Sequence, residues 1–173
     1  MLKLVKLTYD MEKEFYNYIK EWIDAKEKIV PASCNIEDFT YPEYMLSLKN
    51  FESIETCPAG LVPADTYFLV DDTKRILGAI NIRHSLNDNL LKFGGHIGYG
   101  IRPSERRNGY ASIMLRLALP LAKELGLKKV LITCAKENIG SAWTIVKNGG
   151  LLENELENGD EIFKRYWIFL NYF

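Results

Sequence analysis

Cysteine and histidine are both scarce, three and two among 173 residues. Cys34, Cys57 and Cys134 lie far apart with no C-x-x-C pair, so neither a disulfide scaffold nor a zinc site is expected. Charge bias is missing as well. Twenty-two basic residues against twenty-three acidic ones leave a formal net charge of −1, which gives no general attraction to nucleic acid or to an anionic membrane. Long apolar runs are absent, and the opening MLKLVKLTYDMEKEF interrupts its hydrophobic residues with charges too often for a signal peptide. A cytoplasmic chain without metal, membrane or nucleic-acid partner is the expectation. No G-x-x-x-x-G-K-[ST] segment is present, which argues against a nucleoside triphosphatase. The dinucleotide fingerprint fails too, because Pro103 stands where a third glycine would follow Gly100.

What is present suits one well-buried domain spanning 1–173, since nearly half of the residues are hydrophobic. The pattern reads strand, helices, strands, then alternating helix and strand. Leu2, Leu4 and Val5 suggest an edge strand. Met11, Phe15, Tyr18, Ile19, Trp22 and Ile23 recur at helical spacing and predict a core-facing stripe over 10–26. Pro42 can open a second helix with Met45, Leu48 and Phe51 inward. Residues 67–70 and 76–82 form an expected hairpin about Asp71-Asp72-Thr73-Lys74. Later come a helix over 112–125 with Pro120 inside it, a strand at 130–134 and a short helix at 140–147. A final hairpin turns at Asn158-Gly159.

The most informative stretch is 94–111, GGHIGYGIRPSERRNGYA. Glycines at 94, 95, 98 and 100 weaken a strand unless something must approach its backbone closely. Pro103 then ends the strand, and helix formers follow Gly109. A helix start has amides without helical acceptors and a partial positive charge, so an arginine-lined loop there suits a diphosphate.

Arg106-x-x-Gly109-x-Ala111, preceded by Ile101-x-Pro103 and followed by the strand ending at Cys134, Asn138, Ser141 and Asn148-Gly149-Gly150, resembles the acyl-coenzyme A loop and second half-site of the GNAT N-acetyltransferase superfamily. The resemblance covers about 67–152 and is most specific between 94 and 150. It implies an α/β fold with a central mixed, mostly antiparallel sheet flanked by helices, whose fourth and fifth strands splay apart to admit the pantetheine arm. It implies acetyl-CoA as co-substrate. Ile101 would offer backbone hydrogen bonds to pantetheine, and the amides of Arg106, Arg107, Asn108, Gly109, Tyr110, Ala111 and Ser112 would hold the diphosphate. Asn138 and Ser141 would add polar contacts, and Lys147 would reach a phosphate. Asn138 could instead be a plain helix cap. The Asn148-Gly149-Gly150 motif departs from the commoner glycine-aromatic ending and points to a less characterised bacterial-type branch.

Amine acetylation calls for a proton acceptor, because an amine with pKa near 10.4 is deprotonated in only about one molecule in 2,500 at pH 7. His96 is the candidate base, on the strand face it shares with Gly98 and Gly100. The competing reading is a half-buried histidine bonded to a neighbouring backbone group. His84 and Glu105 are the alternatives. Many superfamily members carry an acidic-proton donor, a tyrosine, four residues before the glycine that follows this helix; here that position is Ile145. A thiolate leaving group with pKa near 8.5 is tolerable without a dedicated acid, and Ser141, Cys134 or water could substitute, although Cys134 reads better as a structural thiol than as a nucleophile. The acceptor is an unidentified small-molecule or peptide amine, with Glu37, Asp38 and Glu43 as acidic residues that could attract it. A homodimer is left open. The competing functional class is a coenzyme A-binding regulatory module that has lost turnover.

Overall fold

Among the described residues, 1–36 and 39–171 of this computed structural model, seven strands form two antiparallel sheets that meet along a seam. The first sheet runs β1 (Lys3–Val5), β2 (Ala64–Val70), β3 (Ile76–Arg83) and β4 (Ile97–Ile101) in that order. The second places β7 (Glu161–Phe169) between β5 (Lys129–Ala135) and β6 (Leu151–Asn158). No ladder joins β4 to β5, so these neighbours are splayed as expected. Four helices, α1 (Glu12–Asp24), α2 (Tyr41–Phe51), α3 (Tyr110–Glu124) and α4 (Ile139–Lys147), flank the sheets.

Strands β2 and β3 are buried on both faces, which is why they read as nearly continuous apolar runs rather than alternating ones. On one face Leu69, Leu77, Ile80 and Ile82 meet Met114, Leu115, Ala118 and Leu119 of α3. On the other, Phe68, Ile76 and Ala79 meet Phe15, Tyr18 and Trp22 of α1 and Tyr41 and Tyr44 of α2. Phe15 stacks on Tyr44 at 4.9 Å between centroids and meets Phe68 edge-on at 5.8 Å, contacts that contribute about 0.5–1.5 kcal/mol each beyond burial.

Several local expectations shift. Helix α1 begins at Glu12 after a 3₁₀ turn, and Ile23 is 62% exposed, so the core stripe ends at Trp22. In α2 the deepest residues are Tyr41 and Tyr44; Met45 and Leu48 only flank them, because the aromatic rings fill the space above Phe15. The start of α2 is fixed by Glu43, whose carboxylate accepts from the Thr40 N–H at 2.8 Å and from its hydroxyl at 2.6 Å. Helix α3 runs through the exposed Pro120.

The glycine-rich segment differs most. Gly94 closes a π-helical turn (Leu90–Gly94) and Gly95, at φ 64°, precedes the strand instead of lying within it. A Cβ on Gly95 would sit 2.6 Å from the Leu131 carbonyl oxygen. Within β4, a Cβ on Gly100 would strike the Val30 carbonyl, with the Trp22 ring 3.1 Å away. The close approach that the glycines foretold is therefore made by the chain's own α1–α2 connection.

Candidate active site

Beyond Ile101, at the end of β4, lies a cleft of about 820 Å³. One wall is the segment leading into α3. Arg107 and Gly109 take positive φ values of 65° and 78°, which curls the chain so that helical hydrogen bonding starts only with the amides of Ser112 and Ile113, both on the Gly109 carbonyl. The preceding amides have no helical acceptor by construction, and the helix start lends them a partial positive charge. The facing wall is the start of α4. There Asn138 accepts from the Ser141 N–H at 3.0 Å, acting as the cap that its position allowed.

Ile101, Arg106, Arg107, Gly109, Tyr110, Ala111, Ser112, Asn138 and Ser141 all line this cleft. Asn108 does not; its amide donates to the Glu105 carbonyl at 3.3 Å. Lys147 is not a lining residue either, and its ammonium lies 4.5 Å from the centroid of the Trp143 ring, which does face the cleft. Arg106 is present at the mouth, but its guanidinium grips both carboxylate oxygens of Glu27, at 2.9 and 2.6 Å, and covers the Trp22 ring.

His96 is displaced from its expected role. It is buried, is not part of the cleft lining, and its Nδ1 accepts from the Leu131 N–H at 2.9 Å. Burial, reinforced by the nearby Arg83 charge, lowers its pKa to about 4, so the imidazole is neutral and weakly basic. The backbone-bonded reading of His96 fits this geometry, and the base role does not. His84 is engaged with Asp65 at 2.7 Å. Glu105 lines the cleft but is held by Arg75 at 3.0 Å. Glu43 is the helix cap already described, while Glu37 and Asp38 lie outside the described residues. Cys134 is buried, and desolvation raises its thiol pKa, as suits a structural thiol.

Sequence reasoning passed over Trp22, Glu27, Lys28, Val30, Tyr99, Trp143 and Thr144, which with Gly100 and Gly140 complete the lining. Tyr99 had a legible signal. Strand alternation turns it away from Gly98 and Gly100, toward α4, where its hydroxyl lies 2.9 Å from Ser141 Oγ. Ile145, at the position where relatives carry tyrosine, is fully buried in the core under α4.

The start of α3, with its unbonded amides, and the capped start of α4 face each other across the cleft, an arrangement suited to an anionic ligand. Residues 45–150 match the family model described as an acetyltransferase (GNAT) domain. The chain belongs to that family and is an acetyl-CoA-dependent acetyltransferase. The fold is shared with the ribosomal-protein-S5-alanine acetyltransferase of Vibrio fischeri, at 14% identity over 99% of this chain and 94% of that one, with a TM-score of 0.72. A GNAT-family acetyltransferase of Streptococcus pneumoniae aligns at 15% identity over 98% and 99%, TM-score 0.67. A mutant form of the spermidine N-acetyltransferase of Vibrio cholerae aligns at 16% identity over 97% and 95%, TM-score 0.64. No curated protein sequence matches the chain. Among the described residues no helix is long and apolar enough to cross a membrane, and no three His, Cys, Asp or Glu side chains are grouped to hold a metal ion.

Proposed function

We propose that this protein moves the acetyl group of acetyl-CoA to a primary amine by direct attack of the amine on the thioester, without a covalent enzyme intermediate. The observation that carries the reading is the cleft itself. It lies beyond the end of β4, with the main-chain amides ahead of Ser112 on one side and the Asn138-capped start of α4 on the other. In this reading the diphosphate lies against the amides of residues 106–112 and pantetheine runs along Ile101. The amide N–H groups matter more than the arginine side chains, since Arg106 is already paired with Glu27.

The acceptor is an amine on a small molecule or on a protein; related folds include both a spermidine and a ribosomal-protein acetyltransferase. In this reading its site comes from α1 and α2, the loop before β2 and the β6–β7 hairpin, which lie outside the cofactor half of the motif. One observation favours a second reading, a coenzyme A-binding module of weak or no activity: the buried Ile145 supplies no acid where relatives have tyrosine.

Calorimetric titration with coenzyme A, paired with thiol release from acetyl-CoA across a panel of amines, separates these readings. Binding with release supports the transferase. Binding without release from any amine favours the module, and no heat with either form of the carrier removes both.

A further inference from the structure

We infer that Arg83 holds a carboxylate of the acceptor, which makes the substrates amino-acid-like amines with an anionic end and excludes polyamines. This deepens the transferase reading and rests on it.

The starting point is a cation without a counterion. Arg75, Arg102 and Arg165, the other arginines that are buried or half-buried, each hold a carboxylate: Glu105 at 3.0 Å, Glu14 at 2.8 Å and Glu153. Arg83 is half-buried and holds none among the described residues. Its Nη1 donates to the Gly94 and Gly95 carbonyls at 3.0 and 2.9 Å, which leaves the edge formed by Nε and Nη2 without a partner among the described residues. That edge is a fork of two N–H groups, the geometry that matches a carboxylate. Burial lowers the Arg83 pKa from its ordinary value, but a guanidinium stays charged through the neutral range. A charge held partly out of water with no anion is unfavourable, and a bound carboxylate relieves it.

The position of Arg83 relates it to the cleft. Its N–H donates to the His96 carbonyl at 2.8 Å at the end of β3, and alternation puts its side chain on the same sheet face as Asn81. Register sets Asn81 opposite Gly98. A Cβ on Gly98 would lie 3.7 Å from Arg83 Nη2 and from Pro31, so the guanidinium stands beside a bare stretch of β4 next to the α1–α2 connection. Two residues further along, Gly100 lines the cleft with Val30. At about 3.3 Å of rise per residue that step is roughly 7 Å. An acceptor anchored on Arg83 extends along β4 toward the cleft with its amine leading. The face beside it is polar: the Asn81 amide donates to the Thr66 hydroxyl at 3.0 Å, and that hydroxyl donates to Ser33 Oγ at 3.1 Å. A polyamine would instead bring a second positive charge against the guanidinium.

The test uses the full chain, acetyl-CoA and paired amines, namely alanine, β-alanine, γ-aminobutyrate and alanylalanine, each against its carboxamide, with spermidine as the polycation. Loss of the carboxylate makes the amine less basic, which on its own favours the carboxamide. Preference for the acid must therefore come from binding. Wild type should favour the acid by about ten-fold or more in kcat/KM for at least one pair. In Arg83→Met that ratio should fall to near one, while Arg83→Lys, which keeps the charge without the fork, should restore part of it. The ratio is taken within each variant, so a general loss of rate or stability cancels. If Arg83→Met does not fold, the ratio in Arg83→Lys decides, and it should lie several-fold below that of wild type. A wild type that acetylates carboxamides or spermidine as well as the acids overturns the carboxylate assignment and leaves the transferase reading intact. An acid preference that survives in the Arg83 variants does the same. Coenzyme A binding without thiol release from any of these amines overturns the assignment and favours the module. Absence of coenzyme A binding overturns the transferase reading itself.

Discussion

His96 and Leu131 exchange two hydrogen bonds across the seam between the sheets: the His96 N–H donates to the Leu131 carbonyl at 2.7 Å, and the Leu131 N–H donates to His96 Nδ1 at 2.9 Å. An ordinary ladder would satisfy the Leu131 amide with a backbone carbonyl. Here the strands are already parting, and a side-chain nitrogen fills the place of that carbonyl.

A pH dependence of stability follows. The folded imidazole has its pKa depressed to about 4, against an unfolded value near 6.5, so the unfolded chain binds the extra proton first as pH falls. The contribution is fully present above the unfolded value. It is lost progressively as pH falls from about 6.5 to about 4. His96→Asn keeps an acceptor near the Leu131 amide and cannot titrate, so its urea midpoint should change less between pH 7 and pH 5 than that of wild type. His96→Ala strands the buried amide and should cost about 1–3 kcal/mol at pH 7. Transfer rates should keep their acid limb in His96→Asn. Loss of that limb would return the histidine to the chemistry.

Two glycines on one strand face should respond differently to alanine. At Gly100 the new Cβ runs into the Val30 carbonyl and the Trp22 ring, so Gly100→Ala should destabilise by about 1–3 kcal/mol or displace the α1–α2 connection. At Gly98 the nearest atoms, of Arg83 and Pro31, are 3.7 Å away, an ordinary contact. Gly98→Ala should therefore change stability by less than about 0.5 kcal/mol. Thermal melts of the pair distinguish a strand shaped by its own chain from one shaped for a ligand, in which case both variants would melt normally and Gly100→Ala would lose coenzyme A binding alone.

These contrasts mark what the residue order reveals. Element types and the two hairpins follow from local periodicity and turn chemistry; Asp71-Asp72-Thr73-Lys74 lies between β2 and β3, while the β6–β7 turn is Gly159-Asp160, one residue later than expected. The loop into α3 was legible because positive φ at Gly109 and the missing helical acceptors are local properties. His96 was misread because its partner, Leu131, is 35 residues away and no spacing rule links them. The same holds for Gly100 and Val30, and for Tyr99 and Ser141. Alternation sets Tyr99 on the face opposite Gly98 and Gly100, but only tertiary packing shows which element covers that face. The inner face of α2 slipped for a related reason: Tyr41 and Tyr44 are amphipathic, and they bury their rings by sending hydroxyls to the Thr8 and Ser33 carbonyls at 2.8 Å each.

The Glu27–Arg106 pair at the cleft mouth supplies the last prediction. Both side chains are partly exposed, at 42% and 39%, so the pair should contribute no more than about 1 kcal/mol to folding. Its larger consequence is electrostatic. Glu27 places a negative charge beside the loop proposed to receive a diphosphate and occupies both arms of the guanidinium that could face it. In Glu27→Gln that charge is gone and Arg106 is free to turn inward. Coulomb interaction across about 6 Å of high-dielectric solvent is worth about 0.7 kcal/mol per charge, so coenzyme A should bind about three-fold more tightly at low salt. The gain should shrink as ionic strength rises toward the point where the Debye length is shorter than that separation. Arg106→Gln in the same titration should weaken binding modestly, because the main-chain amides are unchanged. Calorimetry at low and high salt reads both outcomes. Weaker binding by Glu27→Gln, independent of salt, would instead mean that the ion pair holds the loop in its receptive shape through its grip on Arg106 above Trp22.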